Sequence, residues 1–249
     1  MIDRISRTPW MLVLAFIASG LLGAGLFAAA QAMVPGANPD RERIEGIVKA
    51  YILDHPEILP EAMNRLQAKE AAEQQRASNT ALKSHAEVVK PYAGAWGGNP
   101  NGDVTVVAFM DYNCGYCRAS LPTLARLIAE DPGVRIVYRE YPVLGDESTE
   151  AARWALAAAD QGKFMPFHEA LYAGAGFDQA AAKAGLDVGA ARAALRSPRI
   201  SGEIAANRKT GYDLRLTGTP GFVIGKQVFH GAMEYEAFVK AVAAARAGK

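Results

Sequence analysis

The spacing of apolar residues changes several times along the chain, and each change predicts a different element. Trp10 to Ala30 is one uncharged apolar run of about 21 residues, close to the roughly 20 that span a bilayer as a helix. Pro35-Gly36-Ala37-Asn38-Pro39 then breaks structure. Ile44, Ile47, Val48, Tyr51 and Ile52 recur at i, i+3, i+4, i+7 and i+8, the single stripe of an amphipathic helix. His55-Pro56 interrupts it, and a second helix is predicted from Pro56, with Ile58, Leu59, Ala62, Met63 and Leu66 repeating the stripe. Beyond Gln67 the residues are mainly alanine, charged and amide types, with Leu82 the only large aliphatic before Val88, so this stretch reads as a solvated helix or spacer.

The period then shortens. After a turn-rich lead from Lys90 to Asn101, Val104-Thr105-Val106-Val107-Ala108-Phe109-Met110 predicts a buried strand. Leu121, Leu124, Ala125, Leu127 and Ile128 return to helical spacing. Asp131-Pro132-Gly133 is a turn, and Val134 to Arg139 reads as a second strand, parallel to the first in a βαβ unit. From Glu147 to about Tyr212 strand signal is almost absent, and the stretch predicts several helices. Phe222-Val223-Ile224, the turn Gly225-Lys226 and Gln227-Val228-Phe229 form a hairpin, followed by a closing helix over about Glu234 to Arg246. The class is α/β.

Composition narrows the possibilities. At 249 residues with a formal charge of +1, the chain fits one α/β domain plus extras, and nothing in it is basic enough for nucleic acid. Arg4 and Arg7 precede the apolar run, a bias that places the remainder of the chain outside the cytoplasm. Ala30-Gln31-Ala32 is also an acceptable cleavage site, so residues 1–32 are either a signal peptide or a membrane anchor.

The only two cysteines, Cys114 and Cys117, sit where the first strand hands over to a helix, with Asn113 as a candidate N-cap. Free N–H groups at a helix start favour a thiolate. The helix dipole contributes only about 0.3 to 1 kcal/mol, against about 1.36 kcal/mol per pKa unit, so hydrogen bonds to the Cys114 sulfur must add the rest. Gly115 lets the loop bend around that sulfur, Tyr116 completes it, and Cys117, one turn deeper, is the buried partner. A structural disulfide would close too short a loop to remove much chain entropy. Zinc needs about four ligands, and His55, His85, His168 and His230 are scattered without ligand spacing, so no metal or cofactor is assigned. His55, His168 and His230 read as packed or surface residues. A redox pair is the reading that remains.

Three stretches resemble a bacterial DsbA-family thiol-disulfide oxidoreductase: Phe109 to Cys117, Tyr138-Arg139-Glu140-Tyr141-Pro142-Val143-Leu144-Gly145, and Gly218-Thr219-Pro220-Gly221-Phe222-Val223-Ile224-Gly225. A second likeness, Arg43 through Leu66, is to the N-terminal arm of the ScsC-like branch. The resemblance implies a thioredoxin fold at residues 90–249 with a helical insertion at about 147–212. It is preceded by a helical arm and linker at 40–89 and by the signal or anchor helix. It implies that Cys114 and Cys117 are catalytic as a redox-active disulfide with no other cofactor. Thr219 and a cis Pro220 would face them, pairing with extended substrate. Relatives carry an acid six positions before the first cysteine, where this chain has Ala108. Glu140 is the candidate substitute, and Asp111 is expected on a loop where its charge would oppose the Cys114 thiolate.

The arm's hairpin is too small to fold alone. Its stripe is expected to join copies of the chain through residues 40–66, as a trimer by resemblance. The leading expectation is therefore an exported, periplasmic disulfide isomerase or reductase, free or tethered by residues 10–30, acting on protein thiols and disulfides and recycled by a membrane redox partner. A monomeric DsbA-like oxidase is the alternative. A copper-binding thiol protein is a third reading, without the methionine-rich or histidine-rich tract that would support it.

Overall fold

A computed structural model describes residues 9–32 and 39–248. Arg4, Arg7 and the break from Pro35 to Asn38 lie outside the described residues. The chain divides into two units, one through Leu66 and one from Gln67.

In the first unit, α1 (Pro9–Ala32) contains the 21-residue run Trp10–Ala30, long and apolar enough to cross a membrane and with none of it buried. α2 (Pro39–Asp54) starts with Asp40 and Glu42 in its first turn, where the exposed N–H groups favour negative charge. α3 (Ile58–Leu82) begins after a turn in which Ile58 N donates to His55 O, two residues beyond the expected start at Pro56. Ile44, Ile47, Val48 and Tyr51 on α2 stay at least half exposed, as do Leu59, Met63 and Leu66 on α3.

The second unit is built on a five-stranded sheet of β1 (Trp96–Gly98), β2 (Val104–Met110), β3 (Val134–Glu140), β4 (Gly221–Ile224) and β5 (Gln227–His230). Its strand order is β1-β3-β2-β4-β5. β2 and β3 run parallel, in register from Val104 opposite Val134 to Met110 opposite Glu140, and the remaining pairs are antiparallel. β2 is central and buried on both faces, which explains its unbroken apolar composition. Val104, Val106, Ala108 and Met110 belong to a large core that also holds residues of α4 (Gly115–Glu130) and α10 (Tyr235–Ala247). That core extends into the inserted helices α5 (Asp146–Asp160), α6 (Phe164–Tyr172), α7 (Phe177–Ala184), α8 (Val188–Ala194) and α9 (Pro198–Asp213). Val107 and Phe109 point the other way, into a smaller core with Leu82, Val88, Tyr141, Leu214 and Leu216.

Two features depart from the sequence reading. β1 falls inside the lead that reads as turns, because three residues containing two glycines carry no period and the strand exists through its pairing with β3. Gly98 is required there: its φ is +80°, and a Cβ would come within 2.6 Å of Val134 O. Residues 67–89, expected to be a solvated spacer, belong to the second unit. Ser78 and Leu82 are buried, and Gln75 and Asn79 reach the edge strand β5. Gln75 Nε2 donates to Val228 O at 2.6 Å, and Val228 N donates to Asn79 Oδ1 at 2.9 Å. These polar side chains stand in for a sixth strand, satisfying an open sheet edge. Arg139 then clamps the turn at Ala86–Val89, donating to the carbonyl oxygens of Glu87, Val88 and Lys90, to Glu203 and to Asn207.

Asn79→Leu leaves Val228 N without its acceptor and is expected to lower stability in urea by about 1 to 3 kcal/mol. Arg76→Ala, one turn away and exposed, is expected to stay within about 0.5 kcal/mol.

Candidate active site

The end of β2 delivers a turn in which Cys114 itself is the N-cap of α4, with extended backbone (φ −84°, ψ 117°), and Gly115 is the first helical residue. Asn113 is therefore not the cap. Its N–H is turned toward Asp111 Oδ1 at 2.9 Å, and Cys114 N donates to Asp111 O at 3.1 Å, so Asp111 shapes the turn. Arg118 N donates to Cys114 O, and Ser120 Oγ to Tyr116 O, closing the first turns of the helix.

Asp111 differs from its expected role. It is buried, and its carboxylate is engaged by four donors: Asn113 N and Ser148 Oγ on Oδ1, and Val143 N and Leu144 N on Oδ2. Tyr172 OH donates to its backbone oxygen at 3.0 Å. The charge is satisfied by the loop that follows β3 and does not stand free against the Cys114 sulfur.

Cys114, Cys117, Thr219 and Pro220 come together. The Thr219-Pro220 bond is cis, and the Cys114 thiol donates to Thr219 O at 3.2 Å. Gly231 N donates to Pro220 O, which ties the proline loop to the end of β5. Gly115 and Tyr116 wrap the sulfur, with the Tyr116 side chain exposed.

The two thiols are made unlike. Burial pushes Cys114 upward, but hydrogen bonds from the Thr219 side chain, from the Cys117 N–H and thiol and from the Tyr116 N–H outweigh it, so its pKa lies below the ordinary thiol value. Cys117 has no exposure at all, and burial first, with the charge of Cys114 adding to it, pushes it up to about 12 despite an opposing hydrogen bond from the Asp111 backbone. Cys114 is thus the more readily ionised of the two thiols, and Cys117 the one that holds its proton.

A buried polar cluster lies behind the pair. Tyr112 OH donates to Glu140 Oε1 at 3.3 Å and lies 2.9 Å from Nδ1 of His168. Burial raises the Glu140 carboxyl well above the usual carboxylate range, with the Tyr112 hydrogen bond opposing it. Burial likewise pushes His168 down to about 3, so it is a neutral imidazole. Burial above all raises the Tyr172 hydroxyl, and the charges of Cys117 and Glu140 add to it. His168 is packed, as its sequence suggests. Its contact with Tyr112 spans 56 positions and that of Tyr172 with Asp111 spans 61, so no local pattern announces them. His55 and His230 are not part of the site, and Ala108 is buried opposite Tyr138 on β3.

The profile of the DSBA-like thioredoxin domain matches residues 105–243, more than half of the chain. The chain belongs to the DSBA-like family. Members of this family exchange thiols and disulfides through a redox-active cysteine pair and need no external cofactor, and thiol-disulfide oxidoreduction is accordingly the chemistry of this fold. The profile of the copper resistance protein ScsC N-terminal domain matches residues 40–73. A thioredoxin-like oxidoreductase from Silicibacter pomeroyi is 40% identical, with a TM-score of 0.59 over 61% of this chain and 91% of that one. The thiol-disulfide exchange protein alpha-DsbA2 from Wolbachia pipientis is 26% identical, with a TM-score of 0.63 over 70% of this chain and 97% of that one. Among curated proteins, a Na(+)/H(+) antiporter NhaA 3 of Salinispora tropica is 32% identical over 150 residues, 57% of this chain but only 23% of the antiporter.

Thr219→Val keeps the shape of the DSBA-like proline loop and removes one donor to the sulfur. The Cys114 thiolate is then expected to titrate at higher pH, read by its ultraviolet absorbance. The lowered pKa of Cys114 contributes stability to the reduced protein that is present above the ordinary thiol value and lost as pH falls through the folded value. Thr219→Val is expected to shrink that pH-dependent increment, measured by urea unfolding across pH.

Proposed function

We propose that this protein is an exported disulfide isomerase or reductase that works as an oligomer. The observation that carries the reading is the apolar stripe of α2 and the start of α3, with Ile44, Ile47, Val48, Tyr51, Leu59, Met63 and Leu66 at least half exposed. A stripe of that length on so small a unit buries too little surface alone and is matched best by the same stripe on other copies. Its overlap with the ScsC N-terminal domain supports the same reading, and the membrane-length run of α1 supports export, with or without a retained anchor.

The chemistry follows from the unequal thiols. Cys114 thiolate attacks one sulfur of a client disulfide, forming a mixed disulfide and releasing the other client sulfur as a thiolate. Either another client thiolate attacks the client sulfur of the mixed disulfide, forming a new client disulfide and expelling Cys114 as the thiolate, or Cys117 loses its proton, attacks the Cys114 sulfur, expels the client sulfur as a thiolate and leaves the pair oxidised. A membrane redox partner then returns the Cys114–Cys117 pair to the dithiol. Several sites on one particle favour the first outcome, because a client that leaves one site meets another.

The second outcome requires a base for the Cys117 proton. Glu140, which accepts from Tyr112 and whose charge acts with that of Cys117 on Tyr172, serves that role in place of the acid absent at Ala108. Burial raises its pKa, so its carboxylate form is a stronger base than a solvated one.

The direct test is the solution mass of the chain together with refolding of a scrambled multi-disulfide protein, with Cys114→Ala as control. A multimer that rescues the scrambled substrate, with rescue lost in the control, is the expected result. A monomer that only oxidises reduced substrate overturns it in favour of a DsbA-like oxidase. Glu140→Gln is expected to accumulate mixed disulfides and flatten the pH dependence of the resolving step in stopped-flow. A buried acid with a raised pKa lowers stability at any pH above its unfolded value, so the same variant is expected to be more stable than the parent at pH 8 and to lose that advantage near pH 4.

A further inference from the structure

Behind the active-site helix is a cleft of about 350 Å³, within the range of small-molecule sites. One wall is the face of α4 carrying Leu121, Ala125 and Ile128, and the other is Met165 on α6. Gly97 of β1 forms part of the lining, where an added Cβ would crowd Met165 Sδ at 3.2 Å and touch Ile128 Cδ1 at 3.6 Å, so the glycine lets both side chains pack close against the strand.

Three polar groups interrupt these apolar walls, His168, Tyr138 and Glu169, with the Glu169 charge acting on the Tyr138 hydroxyl. His168 lines the cleft, and its Nε2 is buried without a hydrogen bond. With the Tyr112 proton given to Glu140, the Tyr112 oxygen accepts from Nδ1–H of His168, which leaves Nε2 as a bare acceptor. The Tyr138 hydroxyl, also in the lining, has no hydrogen-bond partner among the described residues. Glu169 stands exposed in the lining, and no side chain among the described residues pairs with its carboxylate. The lining holds no lysine or arginine. A buried acceptor without a partner is rare in native structures and calls for a donor.

We propose that this cleft binds a small aromatic amine carrying a hydroxyl: the ring between α4 and Met165, the ammonium on Glu169, and the hydroxyl donating to His168 Nε2 while accepting from Tyr138. An anionic or purely apolar ligand would leave either Glu169 or His168 without its complement. The site shares the α4 wall and, through His168, the Tyr112 hydrogen bond with the active-site turn, yet contains neither cysteine. It stands independently of whether the protein is an isomerase or an oxidase.

The test uses the full chain in a nanodisc of zwitterionic lipid and three probes: tyramine, phenethylamine, which lacks the hydroxyl, and tyrosol, which lacks the charge. Tyramine is expected to bind at least tenfold more tightly than either analogue by calorimetry and to shift the ring nitrogen resonances of His168, which phenethylamine leaves in place. Glu169→Gln is expected to abolish the difference between tyramine and tyrosol. Ala125→Trp, a change at an exposed position that fills the mouth without touching the core, is expected to abolish binding of all three. Equal affinity for the three probes, or tyramine binding untouched by Ala125→Trp, overturns the proposal.

Discussion

A carboxylate taken out of water must be met by donors, and the one at the end of β2 dictates how the catalytic end of this molecule is assembled. Asp111 receives two backbone N–H groups from the loop after β3, a hydroxyl from α5 and one N–H from its own turn. Hydrogen bonds to a charged group are worth about 1.5 to 3 kcal/mol each, several times the contribution of the helix dipole that the position of Cys114 first brings to mind. Sheet, insertion and active-site turn are thereby fixed to one another at a single residue. The same residue's backbone accepts from Cys114 N and Tyr172 OH and supports the Cys117 sulfur. The geometry of the thiols is consequently inherited from a polar core contact and not from the flexibility of a surface loop.

The inequality of the two thiols follows from that placement. One cysteine caps a helix and the other lies a turn inside it; burial opposes ionisation of both, but at Cys114 hydrogen bonds to the sulfur outweigh it and at Cys117 they do not. Thr219 completes the difference from the loop before β4, 105 positions away, which is why the proline loop and the cysteine turn have to be held in one frame. β2 and β4 are hydrogen-bonded neighbours, with Phe109 opposite Gly221, and this register brings the two loops together.

Much of this frame is legible in the chain before any coordinates. β2 and β3 announce themselves as apolar runs because both are buried, and the insertion announces itself by the loss of strand signal. The stripe of α2 is legible for the opposite reason: it is regular and remains uncovered. What is not legible is polar and distant. Gln75 and Asn79 read as solvated helix because amides satisfy a sheet edge as well as they satisfy water, and composition does not distinguish the two. Asp111 reads as a charge near a thiolate until the four donors that engage it are seen, two of them backbone groups more than 30 positions away. Trp96 to Gly98 forms a strand by borrowing the edge of β3, a property of the partner and not of the three residues.

The placement of the buried acid shows how far the fold constrains the chemistry. Ala108 and Glu140 lie on adjacent parallel strands, offset by two pairs, with Ala108 opposite Tyr138 and Met110 opposite Glu140. Moving an acid from the first position to the second shifts it toward the catalytic end of the sheet, beside Tyr112 and its neighbours and beneath the cysteine turn. An acid at Ala108 would sit within the apolar core with a leucine-rich helix packed against it, where its desolvation would be borne without a partner. At Glu140 the carboxyl meets a tyrosine hydroxyl and is flanked by a second tyrosine that senses Cys117. A proton acceptor for Cys117 is needed only after Cys114 has been consumed, and burial makes a carboxylate at Glu140 a stronger base than a solvated one. The burial that raises Glu140 also raises Cys117, so both groups favour their neutral forms in the same interior.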